Sequence, residues 1–372
     1  QEEGQQIGLP YCKERGLSEP VIQKFQLGYA PAGPRHFVDH ALNQQYQAEY
    51  LERTGLAKKG RNDQLIDQFR DRLLFPIHSL SGKTLGFGGR TLRSNGKEPK
   101  YLNTPETEIY DKSNTLYGLY QAKNAIRKHN RCLLVEGYTD VLALHQAGVE
   151  EVVASSGTSL TEGQMKLIKR FSSQLIFMYD SDDAGVNATL RGVDLALQQG
   201  LAVKVLQLPD GHDPDTFAQA HDADSIQAYI ENEAQDFLTF KLAQTPDDSQ
   251  NDPVKQASVV RSIVKSIAQI PDSLTRDLYL QQAVRELHVS ETLLYQELNQ
   301  HLVSQVKRQA SPEAGQPEQD HTAEALKQSR SGRQEQEVVR ILLEYGDWPL
   351  SDEQVVADYL AQELRDIEWE SG

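Results

Sequence analysis

From residue 131 onward the chain alternates between two patterns, and this alternation limits the folds open to it more than any other feature. RCLLVEG is a short buried-strand run, and YTDVLALHQAG reads as a helix that stops at Gly148. EEVVASSGTS then reads as strand and loop, LTEGQMKLIKRF as helix and QLIFMYD as strand. AGVNATLRGVDLALQQG is a helix stopping at Gly200, and LAVKVLQLP is a further strand. Strand followed by helix, repeated, predicts an α/β core with a parallel sheet covered by helices.

In such a sheet the C-terminal strand ends share one edge, where ligands bind. Carboxylates fall at three of these ends. LLVEGYTD places Glu136 after the first strand, with Asp140 one helical turn later. FMYDSDDAG places Asp180 and Asp182 after the third, and QLPDGHDPD places Asp210, Asp213 and Asp215 after the fourth. The SSGT loop follows the second. Converging carboxylates repel, and the escape is protonation or a divalent cation. A hard cation such as Mg²⁺ is held by carboxylates together with substrate phosphates, and a pair of them serves phosphoryl transfer. The alternative is strand-end turn chemistry and helix N-caps, which Asp also favours; Asp183 reads as such a cap. GFGGR at 86–90 suits either a phosphate or close backbone approach. His78, His129, His145 and His212 show no metal-ligand spacing.

The rest of the chain makes the protein α+β overall. Residues 1–130 form a first unit, with short amphipathic pieces (PVIQKF, FVDHALNQQ, EYLERTGL) and a β-hairpin around SLSGK. The segment SNGKEPKYLNTPETEIYDK reads as an ordered loop, and TLYGLYQAKNAIRK as a helix. Residues 131–216 are the alternating unit. Residues 217–304 are mostly helical, with Leu294, Leu298 and Leu302 at fourfold spacing. Residues 305–333 are polar, carry two prolines and read as a linker. Periodicity returns in 334–372 (VVRILLEY, VVADYLAQEL), a partial helical module too small to be comfortable alone.

Net charge is −16, but residues 1–135 carry 20 Lys and Arg against 14 Asp and Glu, whereas 136–372 carry 18 against 40. A locally basic face on an acidic protein can still track phosphates. The two cysteines, Cys12 and Cys132, exclude a cysteine-rich zinc site or disulfide framework and fit a reducing cytoplasm. No apolar run is long enough to span a membrane, and QEEGQQIGLP lacks the basic and apolar regions of a signal peptide.

LLVEGYTDVLAL, ASSGTS, YDSDDAG and LPDGHDPDTF, in that order, resemble the Toprim domain of bacterial DNA primases of the DnaG type. Upstream, ERGLSEPVIQKFQLGYAP, FRDRLLFPIHSLSGKTLGFGGRTL and PKYLNTPETEIYDKSNTLYGL resemble the first half of that family's RNA polymerase domain, and these blocks make the match specific. The resemblance covers residues 8–305 and implies an enzyme that makes short RNA primers on single-stranded DNA from ribonucleoside triphosphates. It implies a catalytic Glu136, a metal-binding pair Asp180 and Asp182 acting with it, and a wider acidic set of Asp140, Asp213 and Asp215 around Mg²⁺ or Mn²⁺. It places Arg15, Arg90, Lys100, Tyr101, Asn103 and Lys112 on the surface that carries template and nucleotide. Arg and Lys suit phosphates, and Tyr101 offers a stacking face.

Two positions depart from the family pattern: Gln68 replaces an arginine, and Ser181 replaces the glycine between the two aspartates. The family's zinc-binding module precedes the matched region, so zinc is not expected in this chain. Residues 334–372 resemble the start of the family's region for contacting the replicative helicase. A monomer is expected, since no coiled-coil seam is visible. Toprim motifs also occur in nucleases and topoisomerases, so a strand-cleaving enzyme is one alternative; a replication scaffold binding DNA and helicase without turnover is another.

Overall fold

The computed structural model describes residues 2–60, 62–92, 99–155, 157, 159–179, 183–209, 211–245 and 252–309, with 349–351, 354, 355 and 357 near the C-terminus. Asp180, Ser181, Asp182 and Asp210 lie outside the described residues, as do 310–333 of the expected linker. The chain divides into two units, 1–307 and 308–372.

After a wide helical turn at Gly4–Gly8, the first unit continues with Leu9–Glu14 (α1), Glu19–Lys24 (α2), Gly28–Ala30 (β1), His36–Asn43 (α3), Ala48–Arg53 (α4), Ala57–Lys59 (β2) and Leu65–Asp67 (β3). The expected hairpin is Arg72–His78 (β4) with Thr84–Thr91 (β5), paired antiparallel from Arg72↔Thr91 to His78↔Thr84. Tyr101–Asn103 (β6) was expected to be loop. It pairs antiparallel with β5, Gly88 opposite Asn103 and Arg90 opposite Tyr101, in a sheet of order β1-β4-β5-β6. The aromatic Tyr101 favours the strand, and the long β5 offers a free edge to receive it.

Leu119–His129 (α5) leads into the alternating region: Arg131–Val135 (β7), Tyr138–Gln146 (α6), Val152–Ala154 (β8), Glu162–Lys169 (α7), Gln174–Phe177 (β9), Asp183–Gln198 (α8) and Ala202–Val205 (β10). The helices α6 and α8 are followed by Gly148 (φ 92°) and Gly200 (φ 70°), left-handed positions that suit glycine. Pairs β7–β8, β7–β9 and β9–β10 are all parallel, so the expected α/β core with covering helices is what forms. The two-residue Gln235–Asp236 (β11) adds antiparallel to β10, and the sheet order is β11-β10-β9-β7-β8. Beyond β8, Tyr117 makes an antiparallel bridge to Ala154.

Alternation along the strands divides the core. Cys132, Leu134, Leu175, Phe177, Val203 and Val205 face one cluster, shared with α5, α7, α8 and the later helices Phe237–Ala243 (α11), Pro253–Ile267 (α12), Ser273–Leu287 (α13) and Glu291–Gln309 (α14). Leu133, Val135, Val152, Ala154 and Ile176 face the other. That cluster holds α1, α2, β4, α6, Pro214–Ala220 (α9) and Ala223–Glu233 (α10). A parallel sheet buried on both faces explains why these strands read as continuous apolar runs. It also sets the sheet between the basic N-terminal elements and the helical region.

The helix α14 runs to Gln309, past the expected linker start at 305. The residues from Ser304 to Gln309 contain no glycine or proline, so nothing there ends it. In the second unit the expectation of helix is corrected at Gln354–Val355, which pair as an antiparallel strand with Pro349–Ser351, while Ala357 is helical. Pro349 cannot donate inside a helix, and Val355 is β-branched.

Candidate active site and nucleic-acid face

At the shared strand edge, Glu136 follows directly on β7 and is exposed, while Ser155 follows β8 and Tyr179 lies two residues past β9. These three meet. Burial raises the pKa of the Tyr179 phenol, the charge of Glu136 adds to the rise, and a hydrogen bond with Ser155 opposes it. Asp180 follows Tyr179 directly in the sequence.

The other predicted carboxylates have visible tasks. Asp140 Oδ2 accepts from the Gly137 N–H at 2.9 Å, in the first turn of α6. Asp213 is the N-cap of α9, accepting from the Thr216 N–H at 2.7 Å and from its hydroxyl at 2.6 Å. Burial works to raise the Asp213 pKa, but these bonds outweigh it and the carboxyl sits below its ordinary value. Asp215, two residues on, is 7 % exposed. Burial raises its pKa against the pull of Gln219, Arg15 and Arg90. N-cap chemistry therefore accounts for Asp213, and a reciprocal cap for Asp140. Among the described residues no group of three or more His, Cys, Asp or Glu side chains converges closely enough to hold a metal ion.

Three of the predicted basic residues, Arg15, Arg90 and Lys100, gather beside this edge. Arg15 Nη1 lies 3.3 Å from Asp215 Oδ2. The Arg15 guanidinium also lies 5.8 Å from the Tyr11 ring, and Arg90 lies 5.6 Å from the same ring. Arg90 is 5.5 Å from the Tyr101 ring and donates to the Tyr101 hydroxyl at 3.1 Å; Lys100 Nζ stands 6.0 Å from that ring. Cations and aromatic faces thus alternate, each pair attractive. Burial raises the pKa of the Tyr101 phenol against Arg90 and a hydrogen bond with Thr139, and the charge of Asp140 adds to the rise. Tyr101 is therefore where the basic face meets the acidic edge.

Asn103 belongs to the same junction, its Oδ1 accepting from the Tyr138 hydroxyl at 2.8 Å. A Cβ on Gly157 would lie 3.7 Å from Asn103 Nδ2, so the loop after β8 reaches it too. Lys112 belongs to a different junction: its N–H donates to Glu106 at 3.1 Å and its carbonyl accepts from Gln164, in the first turn of α7.

The GFGGR glycines resolve toward packing. Tyr138 stacks on Phe75 at 4.9 Å, and a Cβ on Gly88 would sit 2.3 Å from the Tyr138 ring. Only glycine lets β5 pass under that ring.

Sequence reasoning missed Tyr11, Arg72 and Tyr138. The spacing of Tyr11 and Arg15, four residues apart on a helical segment, was a usable signal. Tyr138 stood inside the quoted LLVEGYTD. Arg72 had no local signal. It is 3 % exposed and donates from Nη1 to the carbonyls of Gly89 and Pro99, both at 3.1 Å, which ties the approach to β6 against β5.

Comparison with known proteins agrees with this arrangement. Residues 1–123 match the DNA primase catalytic core, N-terminal domain; 133–218 match a Toprim-like domain; 249–292 match the DnaB-helicase binding domain of primase. The helicase-binding match thus falls on α12 and α13, upstream of 334–372. Residues 318–372 match a domain of unknown function. The chain is 41 % identical over 308 residues to the DNA primase of Synechococcus elongatus, an alignment covering 80 % of this chain and 44 % of that one. It spans about half the length of the curated relatives it matches. Among solved structures it resembles a DNA primase domain from Pseudomonas aeruginosa (31 % identity, TM-score 0.70, covering 78 % of this chain and 92 % of that one). It also resembles a DnaG primase catalytic domain bound to ssDNA (33 % identity, TM-score 0.70, covering 79 % and 94 %). With the acidic edge, the basic face and these matches in the same order along the sequence, the chain belongs to the DnaG-type family of bacterial DNA primases.

Proposed function

We propose that the chain is the RNA-synthesising core of a DNA primase, a nucleotidyltransferase that extends RNA along a single-stranded DNA template from ribonucleoside triphosphates. The observation that carries this reading is the junction at Tyr101, where an alternating Arg–Tyr face adjoins a sheet edge bearing Glu136 and Asp140. A face with cations to track phosphates and aromatic rings to stack on bases suits an unpaired strand. The donors around Glu136 are carboxylate and hydroxyl oxygens, while both cysteines are buried elsewhere, a set that fits a hard divalent ion such as Mg²⁺, with Mn²⁺ substituting. Glu136, Asp180 and Asp182 are the residues that would hold it, and when bound it would supply charge neutralisation at the reacting phosphate. The Glu136 carboxylate accepts the proton of the attacking hydroxyl. Arg15, Lys100 and Tyr101 orient the template and nucleotide, and Asn103 fixes Tyr138 beneath them.

The test is labelled ribonucleotide incorporation on single-stranded DNA carrying a pre-annealed RNA primer, with Mg²⁺ and separately with Mn²⁺. The unaltered chain is expected to extend the primer and Asp180→Asn to leave it unextended. An unextended primer with the unaltered chain under both metals overturns the polymerase reading.

The match on 249–292 makes the replicative helicase the expected partner of α12 and α13. Leu274 and Leu278, one turn apart on α13, are 67 % and 57 % exposed. Changing both to Asp leaves the core intact and is expected to weaken capture of the helicase by about tenfold or more. Unchanged capture in a pull-down moves the contact off α13.

A further inference from the structure

Asp215 stands apart from the other carboxylates of the strand edge. Both of its oxygens are engaged: Gln219 Nε2 donates to Oδ1 at 2.7 Å, and Arg15 Nη1 to Oδ2 at 3.3 Å. Arg15 lies in the basic N-terminal elements, so this ion pair joins α9 to the far end of the unit's sequence. From Arg15 the contacts run on through the Tyr11 ring, the Arg90 guanidinium and the Tyr101 ring. Arg90 is only 7 % exposed and lies between two tyrosines. A buried cation needs compensation, and Asp215 acts favourably on both guanidiniums. Arg15 and Arg90 lie 5.8 and 5.6 Å from the same Tyr11 ring, so removing the Asp215 charge leaves two cations beside one tyrosine with less to offset them.

We propose that Asp215 is a positioning residue for phosphate-bearing ligands and not a metal ligand: it anchors the Arg15–Tyr11–Arg90–Tyr101 ladder and so sets where the ligand's phosphates lie relative to Glu136. This rests on the polymerase reading above. The ligand is the template backbone or the triphosphate of the incoming nucleotide, and separate measurements distinguish them.

The experiment uses the full chain. Metal-free binding of a fluorescent single-stranded oligonucleotide reports on the template, KM for ribonucleotide on a primed template reports on the triphosphate, and Mn²⁺ titration followed by electron paramagnetic resonance reports on the metal. Asp215→Asn is expected to weaken oligonucleotide binding or raise KM by about tenfold, with kcat within about threefold. Mn²⁺ affinity is expected to stay within about twofold. Arg15→Gln made on top of Asp215→Asn is expected to cost less than the product of the two single losses, because the two changes share one linkage. Tyr11→Leu leaves every carboxylate in place and is expected to reproduce the loss. Weakened Mn²⁺ binding in Asp215→Asn alone, multiplying effects of Asp215→Asn and Arg15→Gln, or an indifferent Tyr11→Leu each overturn the proposal. If Asp215→Asn fails to fold, Arg15→Gln and Tyr11→Leu decide alone: losses that do not multiply support the ladder, and losses that multiply overturn it. If the unaltered chain binds the oligonucleotide but makes no RNA, the polymerase reading falls while the binding arms still decide the ladder. If it binds neither ligand, both fall.

Discussion

Glu136→Gln is expected to lower ribonucleotide incorporation on a primed template by about 10²–10⁴-fold, the range for losing a general acid or base. The change is nearly isosteric at an exposed position directly after β7, so the fold has little reason to respond. Template affinity is expected to stay within about twofold, because the Arg–Tyr ladder is built from other residues. The measurement is single-turnover extension of a labelled primer alongside oligonucleotide binding. Incorporation at the unaltered rate would remove Glu136 from the chemistry and leave the acidic edge without its base.

The second large effect is on stability and lies at the opposite edge of the same sheet. Glu151 is fully buried just before β8, and Arg131, the first residue of β7, donates to its Oε1 at 2.9 and 2.6 Å. His129 Nδ1 stands 3.1 Å from the same oxygen. Burial alone would raise the Glu151 pKa, but bonds from Arg131, its own backbone and His129 win and hold the carboxyl below its ordinary value. Glu151→Ala leaves Arg131 with Gln227 and no counter-charge, and is expected to cost about 3 kcal/mol. That is a large part of the ~5–15 kcal/mol that holds a domain together. A urea melt would show it as a lower midpoint, and at low temperature the folded fraction should still extend a primer.

The pH dependence follows from the sign of the shift. A carboxyl held down in the folded state stabilises at and above its ordinary value, and that contribution fades as acid brings pH below it. The Glu151→Ala protein should therefore show a shallower loss of stability on acidification than the unaltered chain. Parallel acid profiles would mean that Glu151 is not the group responsible.

What was legible in the sequence follows from burial. The strands β7, β8, β9 and β10 are buried on both faces, so each is an apolar run, and Gly148 and Gly200 mark where the helices stop. The three-residue strands β1, β2, β3 and β6 are too short for any period to show and depend on partners that only the folded chain supplies. The acidic positions were visible, but not their division of labour: that Asp213 caps α9 while Asp215 reaches Arg15 depends on which way each carboxylate turns. GFGGR left phosphate and packing equally open until Tyr138 was found lying on Gly88. Arg72 was invisible because its partners are main-chain carbonyls, which leave no trace in side-chain identity. In 334–372, spacing of apolar residues suggested helix where Gln354–Val355 is strand, since a pair of valines serves either.

The short strand β11 and the Tyr117 bridge cover part of each side of the parallel sheet. An uncovered strand offers its backbone to any passing chain, and pairing of that kind seeds aggregates. Here Lys204 and Val205 are matched by a strand of two residues, and Ala154 by a single one. Neither cover is long enough to serve as a template itself. At those matched residues the parallel sheet has no free backbone with which to pair the strand of another copy.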